Sequence, residues 1–226
     1  MLPEPYRENR HVVCDSNFIS SCHVGDCSKP SYRCVQMREM QKKEVCGKQY
    51  DVIRLLGHGK GGYSYLVERE GKQYVLKQIH HEPCDYYEFS DKIGGERDAY
   101  KRLVELGIRI PKMYEIDMQK ERIIKQYIEG ETIFDIVMRC GTAEAYLPQI
   151  RKIARHAEAA GVNIDYFPRN FVVNNGLLYY VDYEANEYSD KWNFENWGIQ
   201  YWSKTPAFLQ HLKDCGLDKE GRPSFC

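Results

Sequence analysis

Long apolar runs are missing from this sequence, and their absence limits where the protein can act. No stretch approaches the roughly eighteen apolar residues that a membrane-spanning helix needs. The first residues, MLPEPYRENRHVV, also lack the apolar core of a secretory signal. We therefore expect a cytoplasmic protein with no membrane span.

An excess of charge of one sign is missing as well. The chain has 32 basic and 33 acidic residues, so its formal net charge is only −1. This balance gives no electrostatic reason to expect a nucleic acid as partner. The 226 residues, 42% of them apolar, suffice for one compact domain or for two small lobes that share a cleft.

Closely paired cysteines of the zinc-binding kind are also absent, because none of the nine cysteines forms a CxxC motif. Their odd number, in a chain without an export signal, favours reduced thiols over disulfides. Five of them lie in residues 1–48, which show no sustained apolar periodicity: Cys14, Cys22, Cys27, Cys34 and Cys46. We interpret this segment as a poorly ordered N-terminal extension. A zinc site that also uses His11 and His23 is the alternative.

A regular pattern begins at Tyr50 and indicates an antiparallel sheet. Apolar stretches separated by glycine-containing turns predict strands near 52–56, 63–67, 73–79, 112–117 and 122–128. A charged segment near 93–106 has the spacing of a helix, which Gly107 can end. For residues 49–128 we therefore predict a five-stranded antiparallel sheet with one inserted helix.

The rest of the chain, residues 129–226, is predicted to be mostly helical. Helices are expected near 132–140, 147–160 and 206–214. Between the last two, the Asn175-Gly176 pair predicts a hairpin that joins strands near 171–174 and 178–182. The fold class is therefore α+β.

Three polar residues in this half have a spacing suited to phosphoryl transfer. Asp165, Asn170 and Asp182 follow the pattern D-x4-N-x11-D. A magnesium ion on a triphosphate needs oxygen ligands from two separate turns, which this spacing can supply. The pattern therefore indicates a site for a metal ion and a nucleotide.

A glycine-rich loop, LGHGKGGYSYLV, lies upstream and places glycines at 57, 59 and 62. After Gly62 the sequence continues as a strand, whereas a dinucleotide-binding fold would continue as a helix. Gly57, Gly59 and Gly62 are therefore predicted to lie in a β-hairpin. Such a hairpin can fold over phosphates and donate backbone N–H groups to them.

A lysine and a glutamate complete the set. Lys77 ends the strand YVLK among apolar neighbours, where a buried ammonium needs an anionic partner. Glu96, on the following helix, is the candidate partner that would hold the ammonium toward the phosphates. Either residue alone fits a solvated surface side chain better than a functional one. Their occurrence together with the glycines favours a nucleotide site.

Taken in order, these motifs resemble those of the protein-kinase-like superfamily. The matching segments, between about residues 50 and 200, are LGHGKGG, VLK, GERDAY, IDYFPRN and VDYE. The resemblance implies a bilobal fold with an N-lobe at 49–128 and a small, mostly helical C-lobe at 129–226. It also implies ATP and Mg²⁺ as cofactors.

The resemblance assigns the catalytic roles as follows. Lys77 and Glu96 would hold the phosphates, Asp165 would orient the acceptor hydroxyl, and Asn170 and Asp182 would bind magnesium. Asp165 would act largely by positioning, because a loose transition state does not require early proton removal.

The remaining roles concern the nucleotide. Val75 would pack on adenine, whose polar edge would meet backbone groups of a hinge from Gln126 to Ile128. Arg169 would reach the γ-phosphate, although a solvated loop arginine fits the sequence equally well. The glycines at 57, 59 and 62 would cover the phosphates.

Several departures from typical protein kinases indicate an atypical form. Ile164 replaces the arginine that would bind an activation-loop phosphate, so control by such phosphorylation is not expected. Glu184 replaces the glycine that follows the metal-binding aspartate. Only 44 residues follow Asp182, and they contain no APE motif. Their aromatic residues are predicted to pack in a core: Trp192, Phe194, Trp197, Tyr201 and Trp202.

Three functions fit these observations. The leading one is a short, atypical bacterial-type serine/threonine protein kinase with a hydroxyl acceptor. The first alternative is a small-molecule kinase of the aminoglycoside, choline or saccharide type, since DYEA and YIEGE also resemble aminoglycoside and choline kinases. Residues 131–160 leave little room for the large helical insertion of those enzymes, which favours a protein or a bulky saccharide as acceptor. The second alternative is a pseudokinase that binds nucleotide or acts only through a protein partner.

Overall fold

The computed structural model describes residues 41–59, 61–81 and 91–217. Within these ranges no helix is long and apolar enough to cross a membrane. The interpretations of the cysteines and histidines before residue 41 lie outside the described residues. Cys46, the one member of that cysteine group within them, is an exposed free thiol.

The first lobe is a six-stranded antiparallel sheet in the order β1-β2-β3-β4-β6-β5. The strands are β1 (Lys42–Val45), β2 (Lys48–Gly59), β3 (Gly62–Arg69), β4 (Lys72–Ile79), β5 (Met113–Asp117) and β6 (Arg122–Gln126). Five of the six match the predicted strands in order and position. The predicted α+β class and two-lobed arrangement are confirmed, with one strand more than expected.

The prediction of five strands was wrong because β1 lacks the usual apolar alternation. Its sequence, KKEV, contains a single apolar residue, Val45, which is completely buried. The turn to β2 is formed by Cys46 and Gly47, both with positive φ (48° and 77°), as two-residue hairpins require. Since β1 lies inside residues 1–48, the sheet begins within the segment that we interpreted as an extension.

One helix, α1 (Lys92–Glu105), packs on this sheet and carries Glu96. Its start is fixed by Asp91, whose carboxylate accepts a hydrogen bond from the N–H of Gly94 at 2.9 Å. Ile93 is buried against Ile123 of the sheet. Glu96 lies one turn after Ile93, so the same helical face points it toward the sheet.

The second lobe is mostly helical, as predicted. Its helices are α2 (Ile133–Cys140), α3 (Leu147–Ala159) and α4 (Pro206–Asp214), and its strands are β7 (Glu131–Thr132), β8 (Val162–Asn163), β9 (Phe171–Asn174), β10 (Leu177–Tyr180) and β11 (Asn186–Glu187). Strand β9 lies between β10 and β7, and β11 pairs with β8. Asn175 and Gly176 form the predicted hairpin turn, with φ of 49° and 75°.

The aromatic residues after Asp182 support the loop that carries Asp165. Of the five aromatic residues predicted to pack in a core, Phe194 and Trp202 are each only 1% exposed and belong to the main core of the second lobe, and Trp197 and Tyr201 are partly buried against it. Trp192 instead lies outside that core and contacts Trp197. The indole Nε1–H of Trp202 donates to the backbone oxygen of Tyr166 at 3.0 Å. The tail of the chain therefore fixes the residue that follows Asp165.

Candidate functional site

The centre of the site is a buried ammonium group that contacts two carboxylates. Lys77, on the fourth strand of the sheet, is 6% exposed. Its Nζ donates to Glu96 of α1 and, at 3.0 Å, to Oδ1 of Asp182 in the second lobe. The structure thus brings together three residues that are separated by 19 and 105 positions in the sequence.

The charges of these three groups depend on one another. Burial alone would lower the pKa of Lys77, but the carboxylates of Asp182 and Glu96 hold it well above its usual value. Burial opposes ionisation of Asp182 too, yet the neighbouring lysines keep the pKa of that carboxyl well below its usual value. Lys77 and Asp182 are therefore both charged at neutral pH.

The glycine-rich hairpin closes over this group. A Cβ atom added to Gly61, at its tip, would lie 3.3 Å from Nζ of Lys77. Gly62 is required by the fold, because with φ of 150° an added Cβ would lie 2.2 Å from a backbone oxygen of β4. Gly57 and Gly59 differ, since nothing lies within 4 Å of a Cβ added to either. Gly57 and Gly59 therefore border open space, and a side chain at either position would not be blocked by the fold.

Asp165 lies on the loop after β8 and is joined to the Asp182 segment through a tyrosine. The buried hydroxyl of Tyr180 accepts from the backbone N–H of Asp165 at 3.3 Å and donates to the backbone oxygen of Glu184 at 3.2 Å. The carboxylate of Asp165 accepts from the N–H of Phe167 at 2.9 Å. These bonds fix both the position and the orientation of the carboxylate.

Asn170 joins the same two segments from the other side. Its side-chain amide donates to the backbone oxygen of Asp165 at 3.4 Å, and its own backbone oxygen accepts from the N–H of Val181 at 2.8 Å. Asn170 therefore contacts Asp165 through its side chain and the residue before Asp182 through its backbone.

Lys125 is a site residue that our sequence analysis did not find. It is 5% exposed, and its Nζ donates to the backbone oxygen of Val181 at 2.7 Å. Burial, with a further contribution from Lys77, lowers the pKa of Lys125 to about 8. The strand sequence R-I-I-K-Q contains the signal, because period-two alternation puts Lys125 on the same face as the core residue Ile123.

Glu184 is a third carboxylate near Asp165 and Asp182. Burial, reinforced by those two aspartates, raises the pKa of Glu184 to about 7. The amide of Asn186 donates to its Oε1 at 2.7 Å. In the sequence, Glu184 was noted only because it replaces a glycine. Its raised pKa could not be foreseen, because it depends on how the folded chain brings Glu184 close to Asp165 and Asp182.

The remaining predicted residues are those assigned to nucleotide binding, and the structure places them as follows. Val75 is 9% exposed and pairs directly with Lys125 across the sheet. Gln126 ends β6 and its backbone N–H donates to the oxygen of Lys112, while Ile128 is buried. The guanidinium of Arg169 lies 3.6 Å from the centre of the Phe134 ring. The nucleotide roles of these residues stay predictions.

The donor set of the site suits magnesium held with a nucleotide better than a metal held by protein alone. In the part of the chain that the structure describes, no three His, Cys, Asp or Glu side chains form a metal cluster. Magnesium is usually held by one or two carboxylates, waters and substrate phosphates. Asp182 has a carboxylate and Asn170 an amide oxygen, so the donor chemistry of this predicted pair suits the ion, and their role as ligands stays a prediction.

Comparison with known proteins gives one similarity. None of the protein-family models matches the chain. The chain is 26% identical over 129 residues to the KEOPS complex subunit Bud32 of Pyrococcus abyssi (strain GE5 / Orsay), which covers 55% of the chain and 56% of that relative. The chain thus matches about half the length of this curated relative. The similarity, the two-lobed fold and the contact of Lys77 with Glu96 and Asp182 together support the resemblance to the protein-kinase-like superfamily.

Proposed function

We propose that the protein is an ATP- and magnesium-dependent phosphotransferase that acts on a hydroxyl group, with a serine or threonine of a protein as the acceptor. The observation that carries this proposal is the position of Lys77, which contacts Glu96 and Asp182 beneath the glycine-rich hairpin. This arrangement can hold the phosphates and the metal ligand at one point.

In the proposed reaction the γ-phosphoryl group moves from ATP to the acceptor oxygen. The bond to the ADP oxygen breaks, and the acceptor proton passes to Asp165, which also orients the hydroxyl. Lys77 exchanges its contact with Asp182 for the phosphates, while Glu96 keeps it in place. Bound Mg²⁺, held by Asn170 and Asp182, would neutralise phosphate charge.

The short second lobe supports a macromolecular acceptor. In the structure, residues 131–160 are occupied by β7, α2, α3 and their short connection. A small-molecule acceptor would usually need a large helical insertion at this position, and none lies between those elements in this described range. The relative is named as a subunit of a complex, so a protein partner that presents or is the acceptor is consistent with the proposal.

Two measurements test the proposal. Mg-ATP should raise the melting temperature by mass action on the folded state, and Asp182→Asn should remove most of that rise. The matched control is Asp214→Asn at the exposed end of α4, which should keep the full rise. Absence of a rise in the wild type at millimolar Mg-ATP would exclude a nucleotide site.

Transfer itself is measured with ATP labelled on the γ-phosphate and a fractionated lysate. Lys77→Met, Asp165→Asn and Asp182→Asn should each reduce labelling at least about a hundredfold, because each removes a group used in the transition state. Label in a low-molecular-weight fraction would favour a small-molecule kinase. Binding of Mg-ATP without transfer to any fraction would favour a pseudokinase.

A further inference from the structure

Lys125 connects the sheet of the first lobe with the metal-binding segment of the second. It lies on β6, and its ammonium donates to the oxygen of Val181, the residue immediately before Asp182. A hydrogen bond from a charged donor is roughly twice as strong as a neutral one. The backbone direction at Asp182 is therefore fixed by a buried cation on a different lobe.

Other contacts hold the same short segment. The hydroxyl of Tyr183 donates to the oxygen of Pro111 at 2.7 Å, and its ring centre lies 4.7 Å from Nζ of Lys125. The N–H of Tyr183 donates to Oδ1 of Asp182 at 2.9 Å. Lys125 thus touches the residues on both sides of Asp182, and Tyr183 is tied to the first lobe as well.

The two lysines of the site have different contacts. Lys77 donates to side-chain carboxylates, one of them the metal ligand itself. Lys125 donates to the backbone oxygen of Val181, an atom that has no role in holding the nucleotide or the metal ion in the proposed function. When Lys77 turns toward phosphates, Lys125 can therefore keep its contact. Glu184 stands at the position that a glycine hinge would occupy, so the backbone lacks the extra freedom of glycine there.

We propose that Lys125 is a positioning residue that keeps Asp182 turned toward the nucleotide site before ligand binds, so that this chain needs no separate activating switch of the metal-binding segment. This inference rests on the proposed function for its nucleotide and metal. The preorganised segment itself is a property of the free protein.

The first test measures that property without any ligand. Hydrogen exchange is compared for a peptide that covers residues 181–184 in the wild type, in Lys125→Met and in the surface control Lys152→Met. In Lys125→Met the backbone amide hydrogens of this peptide should exchange about tenfold faster than in the wild type, because one charge-assisted hydrogen bond is lost. Lys152→Met should match the wild type throughout.

The second test measures the effect of the segment on metal binding. ATP affinity is determined with excess EDTA and with excess Mg²⁺, and the ratio of the two dissociation constants gives the metal-dependent gain. In Lys125→Met this gain should fall about tenfold, and in Lys125→Arg, which keeps the charged donor, it should stay within about threefold of the wild type. Lys125→Gln replaces Lys125→Met if the latter does not fold.

The outcomes separate the two proposals. If a folded neutral variant matches the wild type in both exchange and metal-dependent gain, Lys125 is a packing residue and the inference is wrong. If wild type binds no nucleotide, the proposed function fails, and the exchange result still decides whether Lys125 positions the segment.

Discussion

Replacing Lys125 by methionine should change how the stability of the protein depends on pH. Its pKa is lowered from 10.5 to about 8 in the folded protein. Between these two values the unfolded chain keeps the proton that the folded chain has lost. The unfolded state therefore binds more protons, and the free energy of unfolding of the wild type gains a contribution that rises with pH.

The magnitude follows from the size of the shift. At 1.36 kcal/mol per pKa unit, a shift from 10.5 to about 8 corresponds to about 3 kcal/mol, of which about 2 kcal/mol falls between pH 7 and pH 10. At pH 7 the variant no longer has the free-energy cost of burying a charged lysine. It also leaves the backbone oxygen of Val181 without its charged donor, which costs about 1–3 kcal/mol. We expect Lys125→Met to be up to about 2 kcal/mol more stable at pH 7.

Urea unfolding followed by tryptophan fluorescence at pH 7, 8, 9 and 10 measures this. The difference between Lys125→Met and wild type should shrink and then reverse as pH rises, by about 2 kcal/mol in total. Lys152→Met, at an exposed position of α3, should run parallel to wild type. A constant difference between Lys125→Met and wild type across this range would refute the assignment of Lys125 as a buried cation.

Four other substitutions have defined outcomes. Gly62→Ala should lower the free energy of unfolding by more than about 2 kcal/mol in urea titrations, because the added Cβ would lie 2.2 Å from a backbone oxygen. Gly59→Ala should leave that free energy nearly unchanged and should weaken ATP binding measured by calorimetry. Tyr180→Phe should lower stability by about 1–3 kcal/mol and reduce kcat more than it changes ATP affinity, since the N–H of Asp165 loses its acceptor. Glu184, with its pKa raised from 4.5 to about 7, binds more protons when folded, so the wild type should lose about 3 kcal/mol as pH rises through that window. Glu184→Gln should not show this loss. If the free energy of unfolding changed with pH equally in the variant and in the wild type, the prediction would be wrong.

The strands of the first lobe could be predicted where local pattern decided the structure. β3 and β4 are apolar runs bounded by glycine-containing turns. In the second lobe, α2 ends at Cys140 and is followed by Gly141, which adopts the left-handed conformation typical of that position. β1 could not be predicted in this way. It is a short edge strand of charged residues, and its pairing with β2 depends on the turn at Cys46 and Gly47.

The candidate site also contains contacts that the local sequence could predict and contacts that it could not. Lys77 and Glu96 were expected to meet because a lysine in an apolar strand needs a partner, and the structure brings them together. The contact of Lys77 with Asp182 and the bond from Lys125 to the backbone oxygen of Val181 depend on how the lobes meet. No local pattern contains that information, since the partners are far apart in sequence.

The bond from Trp202 to the loop after Asp165 has a practical consequence. The indole is 1% exposed, and its Nε1–H is bound to the backbone oxygen of Tyr166, next to Asp165. Tryptophan emission responds to the loss of such a bond and to water entry. In a chain with Trp192 and Trp197 replaced by phenylalanine, Trp202 would be an internal optical probe of the loop that carries Asp165. Ligand-induced motion of that loop could then be followed in real time without any attached dye.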